Sequence, residues 1–367
     1  MGILDTIIDT KQTDLANEFE PLVIVGKILE KLKERDREIL ARRYGLSGFQ
    51  EQTLEAIGKD LKLTRERVRQ IEKTLLKQLQ TSVKEHTDVS TTHELLHSML
   101  SEHGGIMAEV ELLERLGVSA IEEANAVRFL LLLLEQVENI RGHEHIKDAW
   151  AALRFDSELF NKFVAASKVV LEAAARPHGA ERFLAAFKET EFYQQHTAEL
   201  PDKVILNFLS TAKVISKNAF HEYGLVHWRD ITPRDVGDKA YLVLKHHNQP
   251  EHYTQITELI NKHHPGSRKA YKETVHNELI KDKRFILVGR GIYALAEWGY
   301  KPGVVADVIA EVLRDAGTPL TRDEIITQVL KRRMVKKNTI LVGLSNRKRF
   351  TKVGKNQYEL VATPAAK

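Results

Sequence analysis

The chain has 367 residues, 43% of them hydrophobic and 29% charged, the balance of a folded protein with room for more than one core rather than of a disordered chain. It contains no Cys, which excludes disulfides and thiolate metal sites, and its sixteen His show no recurrent ligand spacing. Net charge is only +4, yet the basic residues are unevenly placed: residues 31–80 carry 13 Lys and Arg against 8 acids, and residues 325–358 carry 10 with no acid at all.

The first twenty residues, MGILDTIIDTKQTDLANEFE, lack a basic leader segment and reach acids at once. The longest purely apolar run, residues 129–134, is far too short to span a bilayer. A cytoplasmic location without a membrane partner is therefore expected.

From residue 53 to 79 the sequence reads TLEAIGKDLKLTRERVRQIEKTLLKQL. Leu54, Ile57 and Leu61 recur at helical spacing, Gly58 is small where a second helix must come close, and Leu63 falls in the connection. Thr64 suits an N-cap and Glu66 suits the positive end of the helix that begins at Arg65. On that second helix Val68, Ile71 and Leu75 share one side, while Arg65, Glu66, Arg69, Gln70 and Lys73 spread over the other. The apolar side fixes the helix to its neighbour, and the polar side offers donors and acceptors suited to base edges in a major groove. Periodicity alone equally allows an amphipathic core helix with a solvated charged face.

The string from residue 32 to 79, LKERDREILARRYGL followed by QTLEAIGKDLKLTRERVRQIEKTLLKQL, resembles region 4 of the sigma-70 family of bacterial RNA polymerase sigma factors, with TRERVRQIE its most specific part. The resemblance implies that the second helix enters the major groove of a minus 35 promoter element. Arg65, Glu66, Arg69 and Gln70 would then meet bases or nearby phosphates, and Thr64 and Arg67 would mainly hold the backbone. Lys73 completes the set, at a turn that departs from the family's usual small residue followed by Lys. The helix expected at 32–44, with Leu32, Ile39, Leu40 and Tyr44, is similar to the subregion that docks on the flap of the polymerase β subunit. No aromatic and basic helix of the kind that melts a minus 10 element is evident, so the resemblance implies a factor that does not open promoters unaided.

Beyond residue 88 one register recurs four times. Phe285 has Val275 and Leu279 ten and six residues before it, Tyr293 eight after and Trp298 thirteen after. Phe350 has Ile340, Leu344 and Tyr358 at the corresponding places; Ile215 has Ile205, Leu209, Tyr223 and Trp228; Val137 has Val127, Leu131, His145 and Trp150. Each unit reads as three helices and a two-stranded hairpin, a winged helix whose hairpin aromatics pack in the core. The fold class expected is mostly α: a helix-turn-helix domain over residues 1–87, then winged-helix units over 88–155, 156–235, 236–300 and 301–367.

Residues 238–299, through RFILVGRGIYALAEWGY, resemble the HARE-HTH winged-helix module found in the delta subunit of bacterial RNA polymerase, and residues 303–361, with RFTKVGKNQYEL, resemble it more loosely. The last unit concentrates Lys331, Arg332, Arg333, Lys336, Lys337, Arg347, Lys348 and Arg349, the footprint of phosphate contact, against the alternative of a solvated basic face. The first unit has SAIEEANAVRFLLLLLEQV at the same place, whose acids would repel a phosphate backbone and whose apolar run suggests burial or a protein interface.

Enzyme chemistry finds little support. There is no Walker phosphate loop and no Cys nucleophile, Gly289-Arg290-Gly291 sits in a hairpin turn, and adjacent His at 246–247 and 263–264 point apart on a helix. No cofactor or metal is expected. The resulting expectation is a cytoplasmic, nucleoid-associated bacterial transcription factor that binds double-stranded promoter DNA and RNA polymerase core, sigma-like or accessory. The competing readings are a delta-like polymerase-binding scaffold that does not read sequence, and the recognition arm of a restriction system.

Overall fold

The computed structural model describes residues 19–83, 87–266, 268–300, 305–332, 337–347, 349–354 and 356–361. Of the N-terminal segment MGILDTIIDTKQTDLANEFE, only Phe19 and Glu20 fall within it. Among the described residues four helices come first: α1 (Pro21–Glu30), α2 (Glu34–Tyr44), α3 (Leu54–Leu61) and α4 (Arg65–Val83). Their ends follow from local chemistry. Pro21 stands at the start of α1, where a missing amide proton is harmless. Gly45, at φ +64°, closes α2 in the left-handed conformation that other residues resist. Thr53 Oγ1 accepts from the amide of Ala56 at the start of α3, and Thr64 Oγ1 accepts from that of Arg67 at the start of α4.

The chain then runs through four rounds of similar order, the second of which adds a short helix and lacks the first strand. The first round is α5 (Thr87–Glu102), β1 (Ile106–Ala108), α6 (Glu109–Arg115), α7 (Ile121–Leu132), β2 (Val137–Ile140) and β3 (Ala149–Ala152), with sheet order β1-β3-β2. The second is α8 (Ser157–Ala174), α9 (Ala180–Lys188), α10 (Glu191–Gln195), α11 (Asp202–Thr211), β4 (Ile215–Lys217) and β5 (Tyr223–Leu225). Here an isolated bridge between His178 and Tyr223 stands where the other rounds have a third strand. The third is α12 (Val236–His247), β6 (Glu251–His252), α13 (Tyr253–His263), α14 (Lys272–Lys281), β7 (Phe285–Gly289) and β8 (Ile292–Leu295), in order β6-β8-β7. The fourth is α15 (Val305–Ala316), β9 (Leu320–Thr321), α16 (Arg322–Arg332), α17 (Lys337–Leu344), β10 (Phe350–Gly354) and β11 (Gln357–Leu360), in order β10-β11-β9. All pairings are antiparallel.

The apolar pairs expected on the third helix of each round, Val127 and Leu131, Ile205 and Leu209, Val275 and Leu279, Ile340 and Leu344, are all buried, although in the second round the short α10 intervenes and the pair lies on the fourth helix, α11. The hairpin register needs one correction. Ile215, Phe285 and Phe350 each pair with a Leu ten residues on, whereas Val137 pairs with Ala152, fifteen residues on. Five extra residues lengthen the first hairpin, so Trp150, and not His145, occupies the place of Tyr223, Tyr293 and Tyr358. Trp150 is accordingly a buried strand residue, while Trp228 and Trp298 follow the hairpin and are half-buried. The three Trp do not share one environment.

The chain divides into two compact units, one holding the described residues up to Lys217 with Glu222–Val226, the other Asn218–His221 with the described residues from His227 on. In the first, the expected boundary at residue 87 falls inside a continuous core. Val25, Ile28 and Leu29 of α1, Leu40 of α2, Leu75 and Leu79 of α4, Leu96 and Leu100 of α5, and Phe129 and Leu130 of α7 pack together. The helix-turn-helix has only a small core of its own, Ile39, Ile57 and Val68 with Leu54, Leu61, Leu63 and Ile71 against them, and buries its remaining apolar surface on the next repeat. The repeats of this unit are also joined: Asn207 on α11 donates to the carbonyls of His103 and Ile106, and Lys147 Nζ donates to those of Ser210 and Ile215.

Buried charge is paired in both units. Glu109 accepts from Arg128, Arg141 and the indole of Trp150, at 2.9, 2.7 and 3.2 Å. In the second unit Asp238, which is 2% exposed, lies 2.9 Å from Arg284 and 3.3 Å from Arg229. Arg284 also grips Asp282, and these carboxylates hold its guanidinium well above the ordinary arginine range. Neither Glu109 nor Asp238 is thereby left as a lone buried charge, which is the condition for tolerating them at all.

Candidate nucleic-acid interface

The geometry of α3 and α4 is set by a turn that only a small residue permits. A Cβ on Gly58 would stand 2.7 Å from the carbonyl oxygen of Leu63, and Lys62 reverses the chain at φ +56°. Val68 is fully buried against Ile39 and Ile57, and Leu75 and Leu79 continue the same side of α4 into the larger core. The opposite side is open. Thr64, Arg65, Glu66, Arg67, Arg69, Gln70 and Lys73 are all exposed, so the seven residues expected to meet DNA lie together on the open surface of one helix and its cap.

Two of them are held before any ligand arrives. Arg69 donates through Nε and Nη2 to the two carboxylate oxygens of Glu66, at 2.8 and 2.7 Å. This fork holds the Glu66 carboxyl below its usual range and raises the Arg69 guanidinium. It also aligns the two side chains at the N-terminal end of α4, so that a donor fork and an acceptor are presented side by side. Arg67 reaches Gln70 at 3.4 Å, and the Thr74 hydroxyl donates to the Gln70 carbonyl at 2.8 Å. Lys77, one turn beyond Lys73, is exposed on the same shallow hollow with Gln70, Thr74, Gln78 and Thr81. It was not among the expected residues, although its spacing of four from Lys73 was the available signal.

Leu32, Ile39, Leu40 and Tyr44 do not form one exposed patch. Ile39 is buried under α3 and α4, Leu40 is buried in the larger core, and Leu32 and Tyr44 pack against that core half-buried. The Tyr44 hydroxyl donates to Glu72 at 2.7 Å, and burial together with that carboxylate pushes its phenol up. Arg43 joins Glu72 at 3.1 Å and Arg42 joins Asp60 at 2.9 Å, tying α2 to the helix-turn-helix through its polar side.

The basic residues of the fourth repeat divide. Lys331, Lys337 and Arg347 are exposed, and Lys331 and Lys337 flank one shallow depression together with Asp323. Arg332 pairs with Asp315 at 2.8 Å and Arg349 with Asp307 at 2.7 Å, both acids supplied by α15. Arg333, Lys336 and Lys348 lie outside the described residues. The acid-free run is thus partly neutralised by acids from another element. Among the described residues no three His, Asp or Glu side chains converge to hold a metal ion, and no helix is long and apolar enough to cross a membrane.

Comparison with known proteins places the helix-turn-helix. Residues 28–81 match the family Sigma-70, region 4. The chain is 41% identical over 81 residues to the RNA polymerase sigma factor RpoS of Coxiella burnetii, covering 21% of this chain and 23% of that protein. It is 45% identical over 56 residues to the sigma factor RpoD of Helicobacter pylori, 15% of this chain and 8% of that protein. It is 47% identical over 53 residues to the sigma factor SigA of a Nostoc species, 14% of each. The chain therefore spans less than a quarter of the length of these relatives. Within those limits, the open face of α4 lies in a segment, residues 28–81, that matches region 4 of the sigma-70 family and is similar to the corresponding stretch of these sigma factors.

Proposed function

We propose that the protein is a transcription factor associated with bacterial RNA polymerase, sigma-like or accessory, which reads a minus 35-type promoter element through α4. The observation that carries this reading is the exposed row of Arg65, Glu66, Arg69, Gln70 and Lys73 on a helix whose opposite side is anchored by Val68, Leu75 and Leu79. The four repeats act as winged helices, the last two of the HARE-HTH kind, and Lys331, Lys337 and Arg347 of the fourth add phosphate contacts without reading sequence. The factor works in the cytoplasm, on the nucleoid. It assists promoter recognition and does not open promoters by itself.

The test is binding to a minus 35 duplex and to a scrambled duplex at matched salt. Arg69→Ala should cost about 1–3 kcal/mol on the preferred duplex and less on the scrambled one. Equal losses on both, or no loss, would show that α4 does not read bases and would favour a polymerase-binding scaffold.

A further inference from the structure

The region 4 segment has two faces, and the chain treats them differently. The DNA-reading face of α4 is uncovered. The apolar side of α2 and of the C-terminal half of α4 lies in one core with α1, α5 and α7, and of these α5 and α7 come wholly from outside residues 28–81. The Tyr44 ring lies 5.3 Å from that of Phe129, and Phe129 itself is fully buried.

The cover is specific, beyond mere apolar contact. Asn125 on α7 donates to the carbonyl of Gly45 at 3.1 Å, at the residue that ends α2. A Cβ at Gly45 would stand 2.5 Å from the Asn125 amide nitrogen, so the two helices meet where side-chain bulk is least. Arg128 donates to Asn125 Oδ1 at 2.7 Å and orients the amide. At the other end Gln80 on α4 donates to the carbonyl of Leu132 at 3.0 Å, satisfying a group at the C-terminus of α7. Both ends of α7 are thereby registered on the region 4 segment. The family match covers residues 28–81 and α7 lies beyond it, so this seating is not a feature of the matched segment alone.

We infer that α7 is a built-in occupant of the face that the region 4 resemblance directs at polymerase: the chain meets DNA with α4 open, while docking of a polymerase element on Leu32, Leu40 and Tyr44 requires α7 to be displaced. The inference rests on the proposed association with polymerase, and the competitor is the element that the region 4 resemblance implies, the flap of the polymerase β subunit. Its physical content is a competition, in which the apparent affinity for the flap falls by the fraction of molecules with α7 displaced.

The experiment uses the full chain and a purified β flap fragment, with wild type, Asn125→Ala and Phe129→Ala compared by titration, and the minus 35 duplex titrated in parallel. Both substitutions should tighten flap binding, Asn125→Ala by about two- to tenfold, the range for removal of one specific hydrogen bond, and leave duplex affinity within about twofold. Asn125→Ala removes a polar tether with little apolar surface and keeps the test valid if Phe129→Ala does not fold. Equal flap affinity in all three proteins overturns the inference. So does a flap fragment that binds none of them; if the chain is then still retained by intact polymerase core the proposed function stands, and if it is not, that reading falls too.

Discussion

The third helices of the first and fourth repeats occupy the same place in the same order of elements and have opposite fates. In α7 the residues Ala126, Val127, Phe129, Leu130 and Leu131 are all buried, because the helix is covered by its own repeat on one side and by α1, α2 and α4 on the other. In α17 only Ile340 and Leu344 are buried, Val342 is 73% exposed, and Lys337 opens the helix. A third helix that is apolar on most sides from Ala124 to Leu132 has been taken into the core of a neighbour, and one that is apolar on a single stripe keeps a free side. The repeat supplies a scaffold, and the outward residues of that one helix decide whether it serves structure or contact.

The sharpest way to break this comparison is truncation on each helix. Phe129→Ala should cost about 3–5 kcal/mol of stability in denaturant unfolding, the range for a large core side chain. Val342→Ala should change stability by no more than about 0.5 kcal/mol. Similar costs at the two positions would mean that α7 is no more a core helix than α17.

A second contrast lies in the lysines. Lys331, Lys337 and Lys352 of the fourth repeat are exposed, but Lys147 in the first repeat is half-buried, and burial aided by the nearby Lys217 lowers its ammonium to about 8. Below that pH the cation is present in folded and unfolded chains alike and the cost of burying it applies in full. Between pH 8 and the ordinary lysine value near 10.4 the unfolded chain holds a proton that the folded chain has released, so stability rises with pH. The carbonyls of Ser210 and Ile215 accept from Nζ and offset part of the effect. Unfolding measured from pH 7.5 to 10 should therefore show wild type gaining about 1–3 kcal/mol relative to Lys147→Met. Parallel curves would show that the ammonium is in effect solvated.

The smallest effect concerns the exposed basic residues of the fourth repeat. Replacing Lys331, Lys337 and Arg347 together by Ala should weaken binding to every duplex alike and flatten the slope of log K against log salt by up to about 0.9 for each phosphate no longer neutralised. An unchanged slope would make these residues a solvated face, and α17 would then lack the ligand-facing role that the comparison assigns to it.

Much of this was legible in the residues. The side of α4 that anchors and the side that stays open follow from where Val68, Ile71 and Leu75 recur, and the third helices announce themselves through pairs spaced by four. The first hairpin was misread because periodicity marks where a strand starts but not how long the loop between two strands is. Five added residues moved Trp150 into the position assigned to His145. The basic run misled in another way: its length without an acid is a property of the chain, whereas Asp307 and Asp315 reach Arg349 and Arg332 from α15.

By itself, then, the sequence determined the elements, their order and the polar face of α4, because capping, turn chemistry and apolar spacing act over a few residues. Only the tertiary structure decided that the helix-turn-helix and the first repeat share one core, that Leu40 and Tyr44 of α2 lie against that core instead of facing solvent, and which arginines keep an open side. Each of those outcomes depends on surfaces distant in the chain. The apolar side of α2 and the apolar girth of α7 are each ordinary in isolation, and it is their joint removal from water, with Asn125 setting the fit at Gly45, that joins them.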